Sequence, residues 1–435
     1  MGLGKTLQAL SYLSYFRDLV KLPALVIAPT SLIYNWKEEA ARFSPGLKAV
    51  VLTGSAEQRE AILANIEQID LLIASYTVQR MDAKQLQKIQ FACCILDEAQ
   101  AIKNPATHTS RAVKKIKALR RFALTGTPIE NSLHELWSIF DFLMPGYLLN
   151  YKQFQSRFEQ PIVRDRDQET LADLNRLTAP FILRRLKKDV LKELPEKIET
   201  RLFCDLEPEQ EKIYKAYLST ARQSVRDMLK TDNSQSRKIE ILSLLTRLRQ
   251  ICCHPALFLE NYRGNSGKLE TLNELLDRLF DNGSRVLLFS QFTSMLTLIR
   301  QEQEKRNRPV FYIDGSVRSE DRIDQVNRFN KGERELFLIS LKAGGTGLNL
   351  TGANAVIHYD PWWNPAVEQQ ATDRAHRIGQ KDVVQIFRLI TRNSIEEKID
   401  SLKGLKQDLV EAVIKPNQNP LERLSEEELF SLFEE

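Results

Sequence analysis

Twice along the 435 residues, short apolar runs rich in β-branched residues alternate with stretches of helical periodicity. Strands joined by helix-length connections must lie parallel, with the helices covering both faces of the sheet. The first set of strand candidates is Ala24–Ala28, Ala49–Leu52, Leu71–Ala74, Phe91–Leu96 and Arg121–Leu124. The second is Val286–Phe289, Val310–Ile313, Leu336–Ser340, Ala355–Tyr359 and Val384–Leu389. The chain is too long for one hydrophobic core, so the expected fold is α/β, with two parallel-sheet lobes and a helical insertion between them.

Between about Met144 and Pro255 the strand signal gives way to long charged helical patterns, and the glycine-bearing stretch Asn261 to Gly267 leads into the second set. The expected boundaries are a first lobe over 1–145, insertion and linker over 146–260, and a second lobe over 261–415. That lobe ends in a brace helix, with Ile395, Ile399, Leu402, Leu405, Leu409 and Val413 on one stripe. Ser425 and Glu428 form a capping-box pattern for a last short helix over 416–435.

Lys+Arg 62 against Asp+Glu 57 leaves a net charge of +5, compatible with a polyanionic partner but not diagnostic of one. No apolar run approaches the roughly 18 residues of a membrane span. The five cysteines include the adjacent pairs Cys93-Cys94 and Cys252-Cys253, with no Cys-x-x-Cys spacing for zinc. The set looks reduced and intracellular, and no secretory signal precedes it. His254 beside Cys252 and Cys253 reads as a core or turn residue, because adjacent residues do not readily converge on one ion.

Gly2-Leu3-Gly4-Lys5-Thr6 has the chemistry of the end of a phosphate-binding loop. Glycines let backbone N–H groups approach phosphate, lysine reaches the β and γ oxygens, and the threonine hydroxyl ligates Mg²⁺. Leu7, Leu10, Leu13, Phe16 and Val20 give the following helix a buried stripe, which would put the loop at a helix N-terminus. The chain starts inside this loop, so the preceding strand of the lobe is expected to be missing. Gly-Lys-Thr alone also fits an ordinary turn. What decides the reading is Cys93 to Gln100, an apolar strand ending in Asp97-Glu98: the first acid holds Mg²⁺ and the second orients or activates water. In the second lobe, Arg374 and Arg377 lie three apart, would share a face if helical, and are candidates to stabilise transition-state charge. Pairing with surface carboxylates such as Asp373 is the competing reading.

In order, these segments resemble the Swi/Snf family of DNA-dependent ATPases within superfamily two of the helicase-like motors. Further segments that carry the resemblance are Ile27 to Leu32 followed by Trp36, Ala74-Ser75-Tyr76, Ile102-Lys103-Asn104 and Leu124 to Asn131. Leu287 to Phe292, Asp314-Gly315-Ser316, Ser340 to Leu350, Asp360 to Pro365 and Arg374 to Gln380 extend it through the second lobe. In the insertion, Phe181 to Val190, Leu194 to Lys197 and Leu248 to Pro255 match as well. The resemblance implies two RecA-like lobes, ATP and Mg²⁺ as cofactors, and double-stranded DNA as the track. It implies nucleotide binding by Gly2, Gly4, Lys5, Thr6, Gln100 and Gly345. Catalysis falls to Lys5, Asp97, Glu98, Arg374 and Arg377, with Mg²⁺ on Thr6 and Asp97. Nucleic-acid contacts fall to Thr30, Ser75, Thr125, Ser290 and Gly344, and Thr125-Gly126-Thr127 would couple nucleotide state to DNA grip. Gln100 stands where many relatives have histidine, and coupling should survive because both side chains hydrogen-bond.

Trp362 and Trp363 could stack on bases, but between Pro361 and Pro365 they read as packing for a rigid turn. The expected activity is therefore ATP-dependent translocation on duplex DNA or remodelling of protein–DNA complexes such as polymerase or nucleoprotein, by a monomer. The competing functions are a strand-separating helicase or RNA motor, and a DNA-binding scaffold without turnover. The expected location is the bacterial cytoplasm at the nucleoid, or the nucleus if the source is eukaryotic.

Overall fold

The structure is a computed structural model that describes residues 3–125, 133–165, 167–183, 185, 195–228, 234–344, 348–362, 365–377 and 379–401. The chain divides into two compact units after Lys192. Each contains one fully parallel sheet.

In the first unit, β1 (Ala24–Ala28), β2 (Ala49–Leu52), β3 (Leu71–Ser75), β4 (Gln90–Asp97) and β5 (Lys117–Leu124) are ordered β2-β3-β1-β4-β5. β1 and β3 are buried along their whole length, which is why they are continuous apolar runs rather than alternating ones. Alternate residues of β1 feed two separate cores: Leu25 and Ile27 pack with Leu72, Ala74, Leu96 and Tyr76 on one face. On the other face, Val26 and Ala28 pack with Leu10, Leu13 and Trp36. β5 is an edge strand and keeps Leu119 and Phe122 substantially exposed.

In the second unit, β6 (Lys197–Cys204), β7 (Val286–Ser290), β8 (Val310–Ile313), β9 (Leu336–Ser340), β10 (Ala355–His358) and β11 (Val384–Thr391) are ordered β6-β11-β10-β7-β9-β8. The stretch read as purely helical thus contains a strand. β6 pairs in parallel with β11 along its full length, from Lys197 opposite Val384 to Cys204 opposite Thr391. Its sequence, KIETRLFC, is a mostly exposed edge and lacks the apolar run that marks the central strands.

The helices Pro208–Met228 and Ser234–Cys253 pack on each other and on Ile395 and Ile399. The Tyr214 hydroxyl accepts from Ile395 N at 2.8 Å. The later half of the insertion therefore packs within the second unit. Ile395 and Ile399, the first two residues of the expected brace stripe, are buried; the rest of it, and the capping-box helix, lie outside the described residues.

Candidate nucleotide site and its relatives

The helix Lys5–Leu19 starts at Gly4, whose φ of 70° is a left-handed conformation that glycine adopts without a Cβ penalty. No side chain caps this helix, so its first N–H groups remain available to an anion. Leu10 and Leu13 are buried as the stripe predicts, but Leu7 is 42% exposed and turns outward. The Lys5 ammonium nitrogen is buried, and none of the described residues is its hydrogen-bond partner. A desolvated cation in that state lacks the pairing that burial normally demands, and a phosphate would supply it.

The partner acids stand at the carboxyl end of β4. In a parallel sheet all such ends share one edge, the usual ligand side of α/β sheets. Asp97 closes β4, Ser75 closes β3, Thr125 directly follows β5 and Thr30 lies two residues beyond β1, so four strands bring sequence-predicted residues to that edge. Asp97 is 8% exposed. Its Oδ1 accepts from Glu98 N and its Oδ2 from the Trp36 indole, both at 2.9 Å. Burial and the neighbouring Glu98 push its carboxyl above the ordinary range, against the Trp36 bond and the positive charge of Lys5.

Glu98 has φ 48°, a strained left-handed conformation for a residue with a side chain. Its Oε2 accepts from Gln100 Nε2 at 2.8 Å, and Gln100 Oε1 accepts from the Thr125 hydroxyl at 3.0 Å. A continuous relay thus runs from Thr125 to Glu98 inside one lobe. Thr6 and Asp97 offer hard oxygen donors suited to Mg²⁺, and the buried Lys5 cation matches the phosphates that accompany it. The residues present therefore fit a Mg²⁺–nucleotide.

The predicted nucleic-acid residues divide into two kinds. Thr30 is exposed in the turn after β1. Ser75 is buried with its hydroxyl accepting from Val78 N at 3.1 Å, the cap of helix Tyr76–Met81. Ser290 is fully buried, and its hydroxyl donates to Asp360 Oδ1. Both serine hydroxyls are spent inside the protein. Gly344 ends the short helix Leu341–Gly344 after β9. Gly2, Gly126, Thr127, Gly345 and Trp363 lie outside the described residues.

In the second unit, Arg374 and Arg377 occupy a turn just after helix Pro365–Thr372, not a continuing helix. The Arg374 carbonyl accepts from Leu350 N at 3.1 Å, and Gln380 Nε2 donates to the carbonyls of Ala353, at 2.7 Å, and Ala375, at 3.1 Å. These bonds fix the turn by its backbone. Trp362 is half-buried against the lobe core, with the Arg249 guanidinium 6.0 Å from its ring centre, in keeping with a packed turn. Arg249 also pairs with buried Asp360 at 3.5 Å. The His254 ring accepts from Ala256 N at 3.1 Å as a turn residue, and no metal-binding cluster of three or more His, Cys, Asp or Glu occurs among the described residues.

Sequence reasoning missed the site roles of Trp36 and of Tyr76, whose hydroxyl donates to the Asp97 carbonyl at 2.8 Å. They lie 61 and 21 positions from Asp97, and no local pattern reveals the contacts.

The SNF2-related domain model matches residues 1–257, more than half of the chain, and the helicase conserved C-terminal domain model matches 267–379. The chain belongs to the SNF2-related family. A Bacillus subtilis protein, provisionally named an ATP-dependent helicase/translocase, is 42% identical over the whole of this SNF2-related chain and 48% of its own length. The ISWI chromatin-remodeling complex ATPase of Saccharomyces cerevisiae is 37% identical over 97% of this chain and 39% of its own. The Sulfolobus solfataricus SWI2/SNF2 ATPase core, solved in complex with dsDNA, is 38% identical over all of this chain and 91% of its own, with a TM-score of 0.48. The chain spans about half the length, or less, of these curated relatives. Among the described residues no helix is long and apolar enough to cross a membrane.

Proposed function

We propose that this SNF2-related chain carries the motor of a double-stranded-DNA translocase, hydrolysing ATP and stepping along the DNA backbone without reading sequence. The observation that carries the reading is the buried ammonium of Lys5, without a hydrogen-bond partner among the described residues, at an uncapped helix start and electrostatically coupled to Asp97. Such a cation is suited to hold the β and γ phosphates, with the first N–H groups of the helix beside it. Thr6 and Asp97 would hold Mg²⁺, which when bound neutralises phosphate charge during transfer.

Glu98, with one oxygen held by Gln100, orients the attacking water and takes its proton. Arg374 and Arg377 supply the stabilising cation from the second lobe, which makes turnover depend on closure. The Thr125–Gln100–Glu98 relay ties the water-orienting acid to the segment that begins at Thr125, so DNA engagement there changes the setting of Glu98. Thr30, in its exposed turn, contacts a phosphate; the buried Ser75 and Ser290 act by shaping the turns they cap. Contacts of this kind hold the backbone and leave base identity unread.

Phosphate release by the full chain, with and without duplex DNA, tests the reading. Stimulation by duplex that disappears in Lys5→Ala is the expected result. Turnover equal with and without duplex would sink the DNA-dependent motor, and efficient strand displacement would replace translocation with unwinding.

A further inference from the structure

Three hydrogen bonds fix Asp97, and two of them come from aromatic side chains on opposite faces of the sheet. The Trp36 indole donates to Oδ2 at 2.9 Å, and the Tyr76 hydroxyl donates to the main-chain carbonyl at 2.8 Å. Trp36 is fully buried in the core that contains Leu10 and Leu13 of helix Lys5–Leu19, and Tyr76 is buried in the core on the other face. An aspartate carboxylate otherwise rotates over a broad torsional well. With Oδ1 held by Glu98 N and Oδ2 by the indole, its plane is set.

Both aromatics also sit at the start of helices that grow from predicted DNA-facing turns. Trp36 belongs to helix Ile33–Phe43, which follows the turn at Thr30, and its N–H bonds the Leu32 carbonyl at 2.9 Å. Tyr76 is the first residue of helix Tyr76–Met81, capped by Ser75. Each turn is thus joined to Asp97 through one aromatic side chain.

We propose that Trp36 and Tyr76 are positioning residues that set the Asp97 carboxylate for Mg²⁺ and tie that setting to the turns at Thr30 and Ser75. The inference rests on the reading of Asp97 as a Mg²⁺ ligand. Groups that orient a metal ligand typically change metal affinity by about 10- to 100-fold when removed. The effect should therefore appear in metal-dependent binding rather than in nucleotide binding as such.

The test is binding of a fluorescent ADP analogue to the full chain, titrated with Mg²⁺ in the presence and absence of duplex DNA. Trp36→Phe should raise the Mg²⁺ midpoint by about 10-fold or more and leave metal-free affinity unchanged. Tyr76→Phe, which deletes one oxygen and keeps the ring, should move the midpoint in the same direction by less. Duplex DNA should lower the midpoint of the wild type and have a smaller effect in both variants. Unchanged midpoints overturn the proposal, as does an equal loss of metal-free binding, which marks general distortion. A DNA effect as large in the variants as in the wild type, or none in the wild type, overturns the tie to the turns. If thermal melting shows that Trp36→Phe does not fold, Tyr76→Phe decides alone. Lys5→Ala separates the two levels: nucleotide affinity equal to wild type removes the phosphate-site reading itself. A Lys5→Ala loss alongside unmoved aromatic variants removes only this inference.

Discussion

Glu98 combines a strained backbone with a carboxylate held on one side by Gln100. It stands between the last residue of β4 and the short helical turn Ala99–Ile102, where the chain leaves the strand. Glu98→Gln keeps the size and shape but cannot accept a proton. Phosphate release should fall by roughly 10²- to 10⁴-fold, while the fluorescent nucleotide continues to bind. The relay behind Glu98 predicts a second effect. Thr125→Val removes the donor to Gln100, and DNA-stimulated turnover should drop on the order of tenfold, equivalent to about 1.4 kcal/mol of barrier. Nucleotide affinity should persist. Lys5, Thr6 and the acids stood out in the sequence as candidates because a phosphate and Mg²⁺ site would demand those residue types in short, contiguous segments. Trp36 and Tyr76 did not, because their contacts with Asp97 are made by folding across the sheet.

Among the elements, the strands with an apolar run announced themselves and the polar strand β6 did not. β1, β2, β8 and β9 match their predicted bounds: β1 and β9 are buried along their whole length and read as unbroken apolar runs, and the edge strands β2 and β8 are short apolar runs as well. β6 is held instead by polar chemistry. Glu199 accepts from Lys197 at 2.7 Å and from Arg388 on β11 at 2.6 Å. Burial raises its carboxyl, but these two cations outweigh that and hold it at about 2, below the ordinary 4.5. A depressed carboxylate stabilises the fold above pH 4.5, and that contribution is lost as the pH falls from 4.5 toward 2. Denaturation of Glu199→Gln should therefore show a flatter loss of stability across this window than wild type, starting from a lower value at neutral pH. A similar lesson applies to Arg374 and Arg377. Their spacing suits a helix, yet the chain leaves helix Pro365–Thr372 before reaching them, and Gln380 holds the turn by main-chain carbonyls.

At the scale of the whole molecule, the two units have separate cores and different vulnerabilities. The second contains a buried ion pair between Lys268 and Glu396, with Glu396 Oε2 also accepting from Thr391 N at 3.0 Å. Burial alone would lower the lysine's pKa, but Glu396 outweighs it and keeps the ammonium charged. Glu396→Gln leaves that charge buried without its counterion, a change that costs about 3–5 kcal/mol. Calorimetry should show the unit after Lys192 melting earlier, with the transition of the first unit unmoved. A merged, equally shifted transition would show that the units unfold together. The two-lobed plan was legible because two sets of strands repeat one pattern. The packing of the later insertion with the second lobe was not, because it depends on contacts such as Arg249 with Asp360 that join distant segments.

All five cysteines are buried and free, and burial pushes the Cys93 thiol up to about 12 and holds Cys94 higher than usual as well. The folded chain should consequently be silent toward maleimide dyes. One new surface cysteine on each lobe would then give a doubly labelled protein with every native cysteine retained, and the spacing of the two dyes could be followed in single molecules as ATP and duplex DNA are added.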